Sequence, residues 1–170
     1  MKYYILDKFS RFVLYFLTLL ILISVALLFI YVFVDVNIKG FNIELSILWW
    51  VLYIILLMVL SIILFSIAIS QTVLLEDYLV ISLGIMGFVR IRYDNIAYVG
   101  EAENRNTYRR GIHVFDSTCS MIVSKKDLLG IELKSPVKIY YFLFFERYAT
   151  KIVFSTPNSK KLKEEIKNKI

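Results

Sequence analysis

Charge is absent from two stretches of this 170-residue chain: no Asp, Glu, Lys, Arg or His occurs from Phe12 to Val34 or from Ile47 to Ile69. Each stretch holds 23 residues. At about 1.5 Å rise per residue that is roughly 35 Å of helix, enough to cross a hydrocarbon core of about 30 Å. Lipid cannot satisfy backbone amides, so two isolated spans of this kind must be helices. The same lack of charge removes the intramembrane groups that line ion or substrate pathways. No G-x-x-x-G occurs, which leaves Ser24, Ser61 and Ser66, with Ala26 and Ala68, as the small residues at which the helices are expected to touch.

Cysteine and histidine occur once each, as Cys119 and His113. A lone cysteine cannot close an intramolecular disulfide, in keeping with a reducing compartment. The surrounding strand and loop pattern offers neither a helix N-terminus nor an orienting carboxylate, so the two residues are not expected to act as nucleophile and base. His113 reads instead as a partly buried structural residue. A typical zinc site needs three or four convergent ligands, and there is no glycine-rich phosphate loop and no H-E-x-x-H. Neither catalysis nor a metal or other cofactor is expected.

The charges that are present flank the apolar runs unevenly. Lys2, Lys8 and Arg11 against Asp7 give +2 before the first run, and Lys39 against Asp35 and Glu44 gives −1 between the runs. From Gln71 onward 16 Lys and Arg face 11 Asp and Glu, or +5. The bias of Lys and Arg toward the inner side predicts a multi-pass protein of the cell membrane with both termini cytoplasmic, and puts Trp49 and Trp50 at the outer interface. The predicted organisation is a cytoplasmic N-terminus over 1–11, spans over 12–34 and 47–69, an external link over 35–46, and a cytoplasmic domain over 71–170. A cleavable signal fits poorly, since the first apolar run exceeds the usual 7 to 15 residues and no small-x-small site follows Val34. The pI near 9.3 matches a domain held beside an anionic inner leaflet, and nucleic acid is not expected as a partner.

Beyond the second run the period changes. Leu79, Ile81 and Leu83 alternate with Tyr78, Val80 and Ser82, and Phe88, Arg90 and Arg92 alternate with Val89, Ile91 and Tyr93, with Gly84 and Gly87 bracketing the connection. Further strands are predicted over 96–101, 111–115, 120–124, 131–134, 137–145 and 151–155, with a polar loop over 103–108. Seven or eight short strands in one small domain predict an antiparallel sandwich or barrel. Thr156 before Pro157 predicts a helix start, with Leu162, Ile166 and Ile170 as the apolar stripe of a capping helix.

The spacing Leu79-x-Ile81-x-x-Gly84, then Ile91-x-x-Asp94-x-Ile96, then Ile131-Glu132-Leu133-Lys134-x-Pro136-Val137 and a final helix, all after two spans, resembles the bacterial and archaeal pleckstrin-homology domain of small membrane proteins. The resemblance implies a strongly bent, seven-stranded barrel closed at one end by the C-terminal helix, and it carries over no catalytic signature.

Two groups of residues stand out as binding candidates. Arg90 and Arg92 share a strand face, and with Arg109 and Arg110 they are expected either to meet anionic lipid or to pair with nearby carboxylates such as Asp94 and Glu101. In the run Tyr140 to Phe145, one strand face is expected to fill the barrel. The other, Tyr140, Phe142 and Phe144, is expected either to meet a protein partner or to be covered by the terminal helix or the membrane. The functional expectation is a non-enzymatic module anchored in the lipid bilayer that binds a protein partner or itself. The alternative is an accessory subunit of a transporter or channel assembly, packing through its spans.

Overall fold

Uninterrupted apolar sequence becomes two long helices, α1 (Lys8–Val34) and α2 (Ile43–Ala68). The computed structural model describes residues 1–34, 43–102, 107–125, 127–142 and 144–170. Most of the expected external link (35–42), much of the polar loop (103–106) and Leu143 lie outside the described residues. α1 begins four residues before the charge-free run because Asp7 caps it: its side chain accepts the Ser10 N–H at 3.3 Å and its carbonyl accepts the Arg11 N–H at 3.1 Å. The windows Lys8–Ile30 and Leu48–Ala68 both have mean hydropathy 3.0 and are long enough to cross a membrane. Large apolar side chains such as Phe16, Leu27, Leu52 and Leu56 are exposed along them. Water does not tolerate so much contiguous apolar surface, and the pair points to membrane association.

The two helices are joined at one end by strands. β1 (Lys2–Tyr4) precedes α1, β2 (Gln71–Leu74) follows α2, and the two pair antiparallel with Tyr3 opposite Thr72. The Ile5 N–H donates to the Ser70 carbonyl at 3.2 Å and continues the contact to the helix ends. Neither strand was expected, because segments of three and four residues are too short to display period two. β1 lies in what the sequence suggested was only a flanking tail.

The sheet continues through β3 (Tyr78–Ser82), β4 (Gly87–Arg92), β5 (Ile96–Glu101), β6 (Gly111–Phe115), β7 (Thr118–Ile122), β8 (Leu128–Tyr141) and β9 (Phe145–Ser155). Its order is β1-β2-β3-β4-β8-β9-β7-β6, with β5 also paired to β8. β4 pairs with the second half of β8, Val89 opposite Ile139, and β5 with the first half, Ile131 opposite Val99. Between the halves, at Glu132 to Val137, the β8–β9 register shifts, which bends the strand at Pro136, where no N–H can join the ladder. Two wings thus share one bent hairpin. Their inner faces enclose a core that includes Leu79, Ile91, Met121, Ile131 and Phe154, and α3 (Ser159–Lys167) closes it with Leu162 and Ile166.

Several expectations are corrected. The segments 131–134 and 137–141 belong to one long strand through the bend, the strand expected over 137–145 stops at Tyr141 where the chain turns, and the last strand starts at Phe145 and is longer than 151–155. The sheet is open, not a closed barrel, and it is not wholly antiparallel: β9 enters between β8 and β7 and runs parallel to β7. Thr156 is not the helix cap. It is buried, its N–H donates to the Asp127 carbonyl at 3.1 Å, and the helix starts after Asn158. Ile170 lies beyond α3 and is 55% exposed, so it does not extend the stripe.

The turn between β3 and β4 locks the sheet to α2. A 3-10 turn over Gly84–Met86 places the Ile85 N–H on the Ser66 hydroxyl, and Gly84 sits at φ +62° with the Ser66 backbone where a Cβ would go. Gly84→Ala combines a left-handed backbone with a collision against α2. It should cost about 1–3 kcal/mol, seen as a fall of several degrees in the thermal midpoint of the detergent-solubilised protein. An unchanged midpoint would mean that this turn does not rest on α2.

Candidate functional site

Alternation puts Tyr78 on β3, Phe88, Arg90 and Arg92 on β4, and Lys138 and Tyr140 on β8 on the outer face of the sheet, above the buried Leu79, Val89, Ile91 and Ile139. Register brings them together. Phe88 pairs with Tyr140, and their rings stack at 5.0 Å with a 17° interplanar angle. Arg90 lies over the Tyr78 ring at 3.7 Å, a cation–π contact. The Arg92 guanidinium meets the Asp94 carboxylate at 2.9 Å, and this hydrogen bond, then the charge of Asp94, raises its pKa above the ordinary arginine value. Lys138 meets Glu146 at 2.6 Å, and that hydrogen bond likewise raises the lysine.

The result is an open groove with an aromatic side and a cationic side. Its lower rim is fixed by polar bonds: the Asn95 amide donates to the Ser135 carbonyl at 3.0 Å and accepts the Ser135 N–H at 2.9 Å, while Lys134 Nζ donates to the Asp94 carbonyl at 2.7 Å. These contacts hold the start of β5 against the bend of β8. Arg92 and Lys138 remain on the solvent side with their carboxylate partners, so this pairing sets their positions more than it stabilises the fold.

Of the four arginines singled out from sequence, the structure gathers Arg90 and Arg92 in this groove. Arg109 and Arg110 are exposed before β6, beside His113, whose Nε2 donates to the Arg110 carbonyl at 2.8 Å. His113 is exposed and not the partly buried residue expected, because it stands on the outer face of a strand at the end of the sheet. Cys119 faces inward and is fully buried. Val114, not His113, is its partner across the ladder, so the histidine and the thiol lie on opposite faces and cannot work as a pair. Among the described residues no group of three or more His, Cys, Asp and Glu could hold a metal.

The aromatic run is divided. Tyr140 belongs to the groove, whereas Phe142 and Phe144 stand in the β8–β9 turn, 53% and 87% exposed. On the face expected to point inward, Leu143 lies outside the described residues, and Phe145 is exposed and stacks on Tyr141 at 5.6 Å, since β8 and β9 project past the core here. The serines divide as well. Ser61 is buried between the helices, along with Thr18 and Val25, which sequence reasoning missed. Ser66 is buried but serves the turn at Ile85, and Ser24 faces outward with its hydroxyl bonded to the Leu20 carbonyl at 2.9 Å. Phe88, Tyr78 and Lys138 were also missed as site residues. Phe88 was legible, since it alternates with Val89 on the strand that carries Arg90.

No protein family, curated protein or solved structure matches this chain. The groove therefore carries the functional reading by its own geometry.

Burial pushes the Cys119 thiol up to about 12, and the thiolate is the reactive form. At pH 8 the folded protein should resist iodoacetamide under conditions that alkylate the denatured chain completely, as read by intact mass. Rapid labelling of the folded chain would contradict the inward placement of β7.

Proposed function

We propose that this protein is a non-catalytic binding module, anchored in the cell membrane by α1 and α2 with both termini cytoplasmic, that docks a protein partner in the groove of β3, β4 and β8. The observation that carries the reading is the stacked Phe88–Tyr140 pair beside Arg90 and Arg92 on one exposed sheet face. Aromatic rings and arginines dominate the binding energy of protein interfaces, because they bury large area with few torsions. Three cations face one groove carboxylate, Asp94, and the neighbouring Glu146, which favours an acidic segment with an apolar anchor.

A pleckstrin-homology-like origin for the domain is part of the same proposal. It is supported by the bent β8–β9 hairpin and by the C-terminal helix over the core. The cytoplasmic orientation is supported by the charge flanks, and by β1 and β2, which belong to one sheet and therefore share a side of the membrane.

A photo-crosslinking residue in place of Phe88, in intact cells, should trap a partner or a second copy of the chain. Arg90→Ala together with Tyr140→Ala should cut the yield at least fivefold without changing the amount of protein in the membrane. An unchanged yield would remove the groove from the interface. Crosslinks found only from position 24 on α1 would instead favour the accessory-subunit reading, with the spans as the contact.

A further inference from the structure

We infer that the β8–β9 turn is a membrane-dipping element, with Phe142 and Phe144 seated in the headgroup region of the same bilayer that α1 and α2 cross. The inference is separate from the docking groove and shares with it only the insertion of the two helices. Its starting point is depth. Ser66 lies inside the apolar window Leu48–Ala68, two residues before its end, about 3 Å along the helix axis. The Ser66 hydroxyl accepts the Ile85 N–H, so the 3-10 turn over 84–86 stands level with the last turn of the span. The next residue, Met86, offers its carbonyl to the Phe142 N–H at 2.9 Å. Two hydrogen bonds therefore tie the aromatic turn to a point within the membrane-crossing segment.

The side chains at that level suit the place. Ile85 is 38% exposed, Phe142 53% and Phe144 87%, and each is large and apolar. Water gives no reason to present them together, whereas the boundary between headgroups and acyl chains is where aromatic rings settle. Two described amides of the turn also tolerate partial dehydration. Phe142 donates to Met86, and the Phe144 N–H donates to the Phe142 carbonyl at 2.8 Å, so dipping strands neither amide. Tyr141 and Phe145 stack just behind the tip, and Arg147, two residues further along β9, is exposed where it can reach phosphate groups. The occupant is thus a lipid surface contiguous with one the chain already contacts.

Depth-dependent fluorescence quenching tests this with the full chain in vesicles of phosphatidylcholine and phosphatidylglycerol. In a Trp49→Phe, Trp50→Phe background, single tryptophans are placed by Phe144→Trp at the tip, Phe115→Trp at the β6–β7 turn, and Leu56→Trp within α2. Brominated acyl chains should quench position 56 strongly, which reports insertion, and position 144 at least threefold more than position 115, with a blue-shifted emission. Equal, weak quenching at 144 and 115 with strong quenching at 56 would overturn the inference, leaving the tip to water or a protein. Weak quenching at all three would overturn it together with the spans.

Discussion

The antiparallel ladder between β1 and β2 is the constraint from which the rest follows. It pairs residues that precede the first long helix with residues that follow the second, so helices and sheet are one continuous object. Only Ile5, Leu6 and Asp7 separate β1 from α1, and only Ile69 and Ser70 separate α2 from β2. Connections this short leave little freedom to hinge. The junction is also polar where it needs to be. Ser70 is buried with its hydroxyl directed at the Ser66 carbonyl, and the Ser66 hydroxyl takes the Ile85 amide, so backbone groups that leave the helix find partners before they would be stranded. A sheet fixed in this way inherits its distance and tilt from the helices.

The second organising element is the bent β8–β9 hairpin. One edge of β8 serves β4 and β5 in turn, and β9 carries β7 and β6 on the other side. The inward side chains of both wings make a single core, and α3 covers it. Contact with the N-terminal segment helps to hold α3 in place. Burial, then a hydrogen bond to Glu165 of α3, pushes the Tyr3 hydroxyl up to about 12, and Lys169 just beyond the helix donates to the Leu75 carbonyl at 3.0 Å. With the inner face committed to the core, binding falls to the outer face and to the projecting turn. The same strand pair supplies both: Lys138 and Tyr140 to the groove, Phe142 and Phe144 to the tip.

Much of this was legible in the sequence wherever a segment was long enough to show its period. The two long apolar helices, the alternation over 78–83 and 88–93, the turn at Gly84 to Gly87 and the helix with Leu162 and Ile166 were all readable from spacing. What escaped was pairing across distance. β1 and β2 carry no local signal and exist because the helices bring their ends together. Pro136 read as a break between strands, but a register shift lets β8 pass through it. The first half of β9 was missed because Phe145 to Tyr148 are all exposed and show no alternation, whereas the buried Ile152 to Ser155 marked its second half. The site was half visible: arginine spacing on β4 predicted one side of the groove, while Tyr78 and Lys138 joined it through cross-strand register alone. The run at 140–145 misled because period two was extended through a turn.

Direct coupling of the sheet to both helices by the β1–β2 ladder is best tested by a disulfide across it. Lys2 and Val73 are register partners, and directly opposed residues in such a ladder have Cα atoms about 4.5–5.5 Å apart, within reach of an unstrained bond. In a Cys119→Ser background, Lys2→Cys with Val73→Cys should oxidise quickly and almost completely within one chain in native membranes. The product should migrate faster on a non-reducing gel, with neither single variant doing so. Failure to form the intramolecular bond, or formation only between chains, would contradict the account.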